Sequence, residues 1–241
     1  MLTRVRRALT FAASAAAAAQ VGVAATWVPG VRRMLVPSLL GRGRPSSVAL
    51  TFDDGPHPQG TPAMLDTLDQ LGWKATFFVL GTQARRHPEI VSETVRRGHE
   101  IAVHGDEHRY LIARSPWTAY GDLRRSTDTV TDITGAAPHW WRPPYGVLSG
   151  PGVFAARRLG LRPVLWSAWG RDWRADATAD SVVADLLAAP VAGATLLLHD
   201  SDVTSAAGSW RTTVAALPLL AERLSGHALT VTTLRDHGVA S

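Results

Sequence analysis

The 241-residue chain reads as an α/β protein. The expected fold is a distorted (β/α)7 barrel with parallel strands and an active site at the strand C-terminal ends. Three observations predict it. Short apolar or β-branched runs alternate with helix-length segments seven times after residue 46. That alternation requires parallel strands joined by right-handed crossovers. Polar residues collect where the runs end, at Asp53-Asp54, His104, Arg142 and His199-Asp200. Chemistry at four separate strand ends favours a barrel, because an open doubly wound sheet gathers its site chiefly around one switch point.

Each element has its own signal. Residues 48–52 form an apolar run that stops at two carboxylates and then Gly55-Pro56, a strand delivering acids to its tip before a tight turn. Thr61-Pro62 opens a helix, with a capping residue ahead of a first-turn proline. Met64, Leu65, Leu68 and Leu71 keep helical spacing, and Gly72 ends it. A strand at 75–80 is followed by a helix whose last part opens at His87-Pro88 and stops at Gly98. Strands at 100–104 and 139–142 bracket a helix at about 116–133. A helix at 151–159 leads to the strand at 162–168, and a helix at 178–188 to the strand at 194–199. The helix at 212–224 precedes the seventh strand, 229–234.

Composition narrows the function. The chain is 46% hydrophobic and 19% charged, as expected for a globular domain. Its net charge of +5 is carried by arginine, with Lys74 the only lysine. The main body has no dense basic run with interleaved aromatics, so no nucleic-acid partner is expected. The absence of cysteine excludes a thiol nucleophile, a thiolate metal site and disulfides. At the N-terminus Arg4, Arg6 and Arg7 precede an uncharged run, and Ala17-Ala18-Ala19 fits a cleavage site. Residues 1–33 are expected to be a signal peptide or membrane anchor, 34–46 a linker, and 47–241 the catalytic domain. The expected location is exported or membrane-anchored, with membrane association through the N-terminal segment. The alternative is an apolar helix packed on a cytoplasmic protein.

The strand-end residues suggest metal chemistry. His104 and His108 are four apart and converge if the backbone curls like a helical turn. One carboxylate with two imidazoles makes an open metal site, which leaves positions for water and substrate. A second adjacent carboxylate is then free to act as a base. Mixed oxygen and imidazole ligands suit Zn²⁺ first, with Co²⁺, Ni²⁺ or Mn²⁺ as alternatives.

Five motifs in order carry a resemblance. They are Thr51-Phe52-Asp53-Asp54-Gly55, His104-Gly105-Asp106-Glu107-His108, Arg142-Pro143-Pro144-Tyr145-Gly146, Trp166 to Trp173, and Leu197-Leu198-His199-Asp200. Together they resemble the polysaccharide deacetylase family, the NodB-homology domain of carbohydrate esterase family 4. The resemblance implies that Asp53 is the catalytic base and that Asp54, His104 and His108 bind the metal. It implies that Arg142 orients the base and that the Tyr145 backbone N–H helps hold the oxyanion. His199 would be the general acid. Leu197 would flank the acyl methyl, and Trp166 and Trp173 would line the pocket. Two positions depart from the family. Gly105 stands where a serine or threonine is usual, and Trp169 where an aspartate usually tunes the acid histidine. Asp172, Asp200 and Asp202 are the candidate substitutes for that aspartate. His57, His99, His139, His227 and His237 fall outside the motifs. The implied activity is metal-dependent removal of N-acetyl groups from amino sugars of a polysaccharide or cell-envelope glycan. The alternatives are an O-acetyl esterase or formamide hydrolase on the same site, or a carbohydrate-binding protein with impaired catalysis.

Overall fold

The computed structural model describes residues 23–239. Its centre is β1 (Ser47–Asp53), in which every residue is buried. Side chains alternate across a strand. Val48, Leu50 and Phe52 accordingly join the large core beneath the helices, while Ala49 joins Phe78, Ala102, Trp140 and Val164 in a second, smaller cluster. Thr51 and Asp53 share the face of Ala49, so the strand's last acid lies on its inner side.

The other strands are β2 (Thr76–Val79), β3 (Glu100–Val103), β4 (Trp140–Trp141), β5 (Arg162–Pro163), β6 (Ala168–Trp169), β7 (Thr195–His199) and β8 (Thr230–Thr232). Their order is β5-β4-β3-β2-β1-β7-β6, with β8 beside the first half of β1. Every pairing is parallel. In register, Asp53 lies opposite Phe78 on one side and His199 on the other.

The crossovers are helical. An N-terminal helix, α1 (Pro29–Leu35), precedes the sheet. After β1 comes α2 (Gly60–Leu71), which buries Met64, Leu65 and Leu68 and stops at Gly72 in the left-handed region. α3 (Gly81–Arg86) and α4 (Pro88–Arg96) follow β2. α5 (Pro116–Thr134) starts with Ser115 accepting from the Thr118 amide at 3.1 Å, ahead of Pro116. α6 (Gly150–Arg158), α7 (Ala179–Leu186), α8 (Ser209–Leu224) and α9 (Leu234–His237) complete the chain.

One expectation changes. The run at 162–168 is not one strand. It splits into β5 and β6, which sit at opposite ends of the sheet. Arg162 and Val164 direct their amides toward β4, and Pro163 between them has no amide hydrogen to offer a strand on the outer side, so β5 is an edge. Val164 still donates to Trp141 O at 3.0 Å, but Leu165 turns away to Leu39 O at 2.8 Å and Ser167 to Thr195 O at 3.0 Å. The curled sheet therefore has a seam between β5 and β6. Residues 34–46, expected to be a linker, reach that seam through Leu39 and Gly41, while Met34 and Leu35 are exposed. Pro37–Leu40 form a 3₁₀ turn with Leu39 buried, and the Thr195 hydroxyl donates to Gly41 O at 2.7 Å. The signal or anchor segment lies mostly outside the described residues. Its described part, from residue 23, forms a 3₁₀ turn at Ala25–Trp27 and most of α1. Among the described residues no helix is long and apolar enough to cross a membrane.

Candidate active site

The acids at the tip of β1 diverge at once, because Asp54 has a φ of 77°. This left-handed conformation is uncommon for a residue with a Cβ and points to a functional constraint. The next residue must be small, since a Cβ added to Gly55 would overlap the Asp200 carboxylate. Asp54 Oδ1 is buried without a hydrogen-bond partner. It lies 3.3 Å from His104 Nε2 and 3.5 Å from His108 Nε2. Ligand bonds of 2.0–2.1 Å around a tetrahedral ion put neighbouring ligand atoms about 3.3–3.4 Å apart. All three ligand atoms lie within 4.8 Å of one another. An orphaned carboxylate oxygen at these distances from two imidazoles fits a divalent cation.

The imidazoles are prepared for that task. His104 Nδ1 is 2.8 Å from the Arg142 carbonyl, which holds the proton there and turns Nε2 toward Asp54. Burial pushes His108 down to about 4, so this ring is neutral as a ligand must be. Burial also opposes charge on His104, but Asp53 and Asp54 outweigh it and raise its pKa. Asp54 is held well below the usual carboxylate range. Burial works against that, and the adjacent His104 imidazole, with His199 beyond, overrides it. Gly105 has a φ of 109° and no hydroxyl to brace the loop. Asp106 braces it instead, accepting from Arg85 Nη1 at 2.7 Å and Arg125 Nε at 3.0 Å. The Asp106 amide donates in turn to Asp122 Oδ2 at 3.1 Å.

Asp53 lies on one side of this cluster. Arg142 Nη1 donates to Asp53 Oδ1 at 2.7 Å and to Thr51 Oγ1 at 2.9 Å, and Nη2 donates to Leu165 O at 2.8 Å. The guanidinium is fully buried and sits 4.0 Å over the Phe78 ring. Asp53 is thereby fixed through one oxygen. The other, Oδ2, is 3.8 Å from His104 Nε2 and faces the cluster.

His199 lies on the other side. Its Nδ1 is 2.8 Å from Asp172 Oδ1, and its amide donates to Asp172 Oδ2 at 2.7 Å. Thr213 Oγ1 donates to the same Oδ2 at 2.7 Å. Burial opposes the imidazolium, but the Asp172 carboxylate, with Asp54 and Asp53 behind it, lifts His199 to about 9. Asp172 is thus the carboxylate that reaches the ring. Asp202 is instead 3.3 Å from His57 Nε2, and Asp200 accepts from Thr61. Trp169 is a wall residue, 5.6 Å from Trp166 and stacked on Trp173 at 6.1 Å between ring centres.

Asp53, Asp54, His104, His108 and His199 open into one pocket of about 350 Å³. Trp166, Trp169, Trp173, Leu197, Tyr110 and Tyr145 are among its walls. Tyr145 has a φ of 60° and stacks on Tyr110 at 4.0 Å. Each motif position expected in the site is at or beside this pocket. The histidines expected outside it, at 57, 99, 139, 227 and 237, do not line it. Five lining residues lie outside the five motifs, Val147 and Ser205 among them, and three of the five have a traceable reason. Tyr110 lies two beyond His108 and could have been found by extending that motif. The hydroxyl of Thr204 donates to Asp54 Oδ2 from a loop without periodicity. Trp27 was concealed in the apolar N-terminal run.

The geometry agrees with three comparisons. The family profile for polysaccharide deacetylases matches residues 41–164. The peptidoglycan-N-acetylglucosamine deacetylase PgdA of Listeria monocytogenes is 38% identical over 160 residues, 66% of this chain and 34% of that protein. The chain thus spans about a third of that relative's length. A chitooligosaccharide deacetylase of Sinorhizobium fredii is 35% identical over 204 residues, 80% of this chain and 92% of that protein. Among solved structures, the Bc1960 peptidoglycan N-acetylglucosamine deacetylase superposes with a TM-score of 0.76 at 30% identity, covering 83% of this chain and 92% of that one. With a matched profile, relatives along most of its length and a shared fold, this chain belongs to the polysaccharide deacetylase family.

Proposed function

We propose that the protein is a metal-dependent hydrolase that removes N-acetyl groups from amino sugars of a polysaccharide or cell-envelope glycan. One observation carries the reading. The orphaned Asp54 Oδ1 faces two imidazole nitrogens, with a carboxylate–guanidinium pair on one side and an imidazole–carboxylate pair on the other. Relatives named for peptidoglycan N-acetylglucosamine and chitooligosaccharides support an amino-sugar substrate. Asp54, His104 and His108 would hold the ion, and two imidazoles with one carboxylate suit Zn²⁺ first. Export or anchoring through the N-terminal segment 1–33 belongs to the same reading, because such glycans lie outside the cytoplasm; the candidate cleavage site at Ala17-Ala18-Ala19 lies ahead of Trp27 and would leave it on the domain.

The reaction adds water to the acetyl carbonyl carbon and breaks its C–N bond, giving acetate and a free amine. A bound divalent ion supplies Lewis acidity toward the carbonyl and acidifies the attacking water. Asp53 Oδ2 accepts the water's proton, while Arg142 on Oδ1 holds the carboxylate in orientation. The Tyr145 N–H, presented by a left-handed backbone, would bind the developing oxyanion. The Nδ1–H of His199 is tied to Asp172, which leaves an Nε2–H to protonate the departing amine. The buried Leu197 in the wall suits the acetyl methyl. The test is acetate release from chitopentaose by metal-loaded protein, by protein treated with chelator, and by Asp54→Ala. Activity that needs the ion and Asp54 is expected. Release that survives both treatments would refute the metal-dependent mechanism.

A further inference from the structure

One residue of the pocket comes from the arm that precedes the sheet. Trp27 lies ahead of the matched residues 41–164, yet it lines the same pocket as Asp53, Asp54 and His199. Its indole remains 57% exposed, so core packing does not explain its placement.

The arm that carries Trp27 is held at three points. Thr26 is buried, and its hydroxyl donates to Val23 O at 2.7 Å, which tightens the turn. Arg32 is only 6% exposed, and its guanidinium lies 5.6 Å over the Trp166 ring. Among the described residues no carboxylate pairs with it, and its Nε has no hydrogen-bond partner. Burying an unpaired guanidinium is unfavourable, and the face of a tryptophan is one of the few compensations available. The third point is Leu39, whose carbonyl accepts from Leu165 in the sheet seam. Arg32 and Leu39 both join the arm to the segment that forms the pocket wall at Trp166. The position of Trp27 therefore follows from the closure of the barrel.

The rim already carries exposed aromatic faces at Tyr110 (50%) and Trp173 (39%). A pyranose ring presents a face of C–H groups with hydroxyls at its edge, and a flat indole in a partly wet cleft complements that shape. We propose that Trp27 is a specificity-determining residue of this site, stacking on a sugar unit next to the one being deacetylated and so favouring oligomeric over single amino sugars. This rests on the glycan deacetylase reading. Val28, Met34 and Leu35 on the same arm are exposed as well, which would suit a lipid surface. Only Trp27 of these four lines the pocket, and this favours the glycan.

The test uses the full chain and chitopentaose. Asp53→Asn serves as a background that binds without turnover, and its affinity is measured by calorimetry with and without Trp27→Ala. Loss of one aromatic face should weaken binding about 3- to 10-fold. Trp27→Phe should recover most of the loss. In the active protein Trp27→Ala should raise the KM for chitopentaose by a similar factor, with a smaller change in kcat. A general loosening of the fold would instead lower kcat and would not be rescued by phenylalanine. Equal affinity with and without Trp27, or no measurable binding in either form, overturns the proposal. So does a Trp27→Ala variant that loses only binding to anionic lipid vesicles. A wild type that binds chitopentaose but releases no acetate refutes the deacetylase reading alone, and the calorimetry still decides the role of Trp27.

Discussion

Asp172→Asn removes one charge and keeps the side-chain volume. Its effect can be worked from the geometry. Asp172 sits 2.8 Å from His199 Nδ1 and heads the charges that lift this imidazole from 6.5 to about 9. That gap of about 2.5 units is worth roughly 3 kcal/mol in favour of the imidazolium. Without the carboxylate, burial is opposed only by the more distant Asp54 and Asp53. The pKa should return to about 6.5 or lower. The sign is then fixed. A raised pKa keeps the acid protonated as pH rises, so its loss costs activity on the alkaline side. At pH 8 the protonated fraction falls from about nine-tenths to about one-thirtieth, and acetate release should fall roughly 30-fold. At pH 5.5 the two proteins should differ about 2-fold or less. A cation in the Asp54–His104–His108 cluster lowers both pKa values, so the assay reads their difference. The assay is kcat/KM for chitopentaose between about pH 5.5 and 9.5. Thr213→Val is the control, because it deletes a hydrogen bond to the same carboxylate without deleting its charge. The asparagine amide would face the His199 amide, so a thermal melt should show a loss of about 1–3 kcal/mol from one unpaired donor. An alkaline limb that stays in place while the protein remains folded would refute the assignment of His199 as an acid tuned by Asp172.

Asp53→Asn should lower kcat by about 10²-fold or more while metal content, read by elemental analysis, stays at the wild-type level. Loss of the metal together with activity would make Asp53 a ligand. Asp106→Asn should weaken the grip of Arg85 and Arg125 on the histidine loop. Metal affinity should drop about 10- to 100-fold in a competition titration, with the Asp54 ligand intact. Unchanged affinity would assign that network to folding alone. Leu39→Ala should cost about 2–4 kcal/mol in urea unfolding, because the side chain fills the seam. A cost near zero would show that the segment is the linker its composition suggests.

Strand ends are easy to read in a sequence when an apolar run stops at a charged residue. Asp53, His104 and His199 were legible for that reason. The split of 162–168 was less so. Alternation within that run looks like one strand, and the ladder breaks at Leu165, whose amide turns to a carbonyl more than a hundred residues away. Residues 34–46 carry the glycines and prolines of a linker, and nothing local tells that Leu39 fills a gap made by strands more than a hundred residues away. The partner of His199 was narrowed to three aspartates but not chosen. Asp172 and Asp202 lie on opposite sides of the histidine in sequence, and the choice depends on how two loops fold over α8. Trp27 was hidden by its neighbours, because an indole in an alanine-rich run reads as part of a membrane segment.

Asp53 and His199 are register partners on adjacent parallel strands. Neighbouring strands stand about 4.8 Å apart, a distance set by backbone hydrogen bonds rather than by side chains. The separation between the backbones that carry the proposed proton acceptor and donor is thus inherited from the ladder. Changes in loop length or composition leave it alone. Tyr110, Trp173, Thr204 and Trp27, by contrast, all sit on connecting segments. Under the proposed function, such a division separates the residues that meet the glycan from the pair that moves protons. For engineering, it marks the loops around these four residues as the place to graft a new specificity, and the β1–β7 pair as the place to leave untouched.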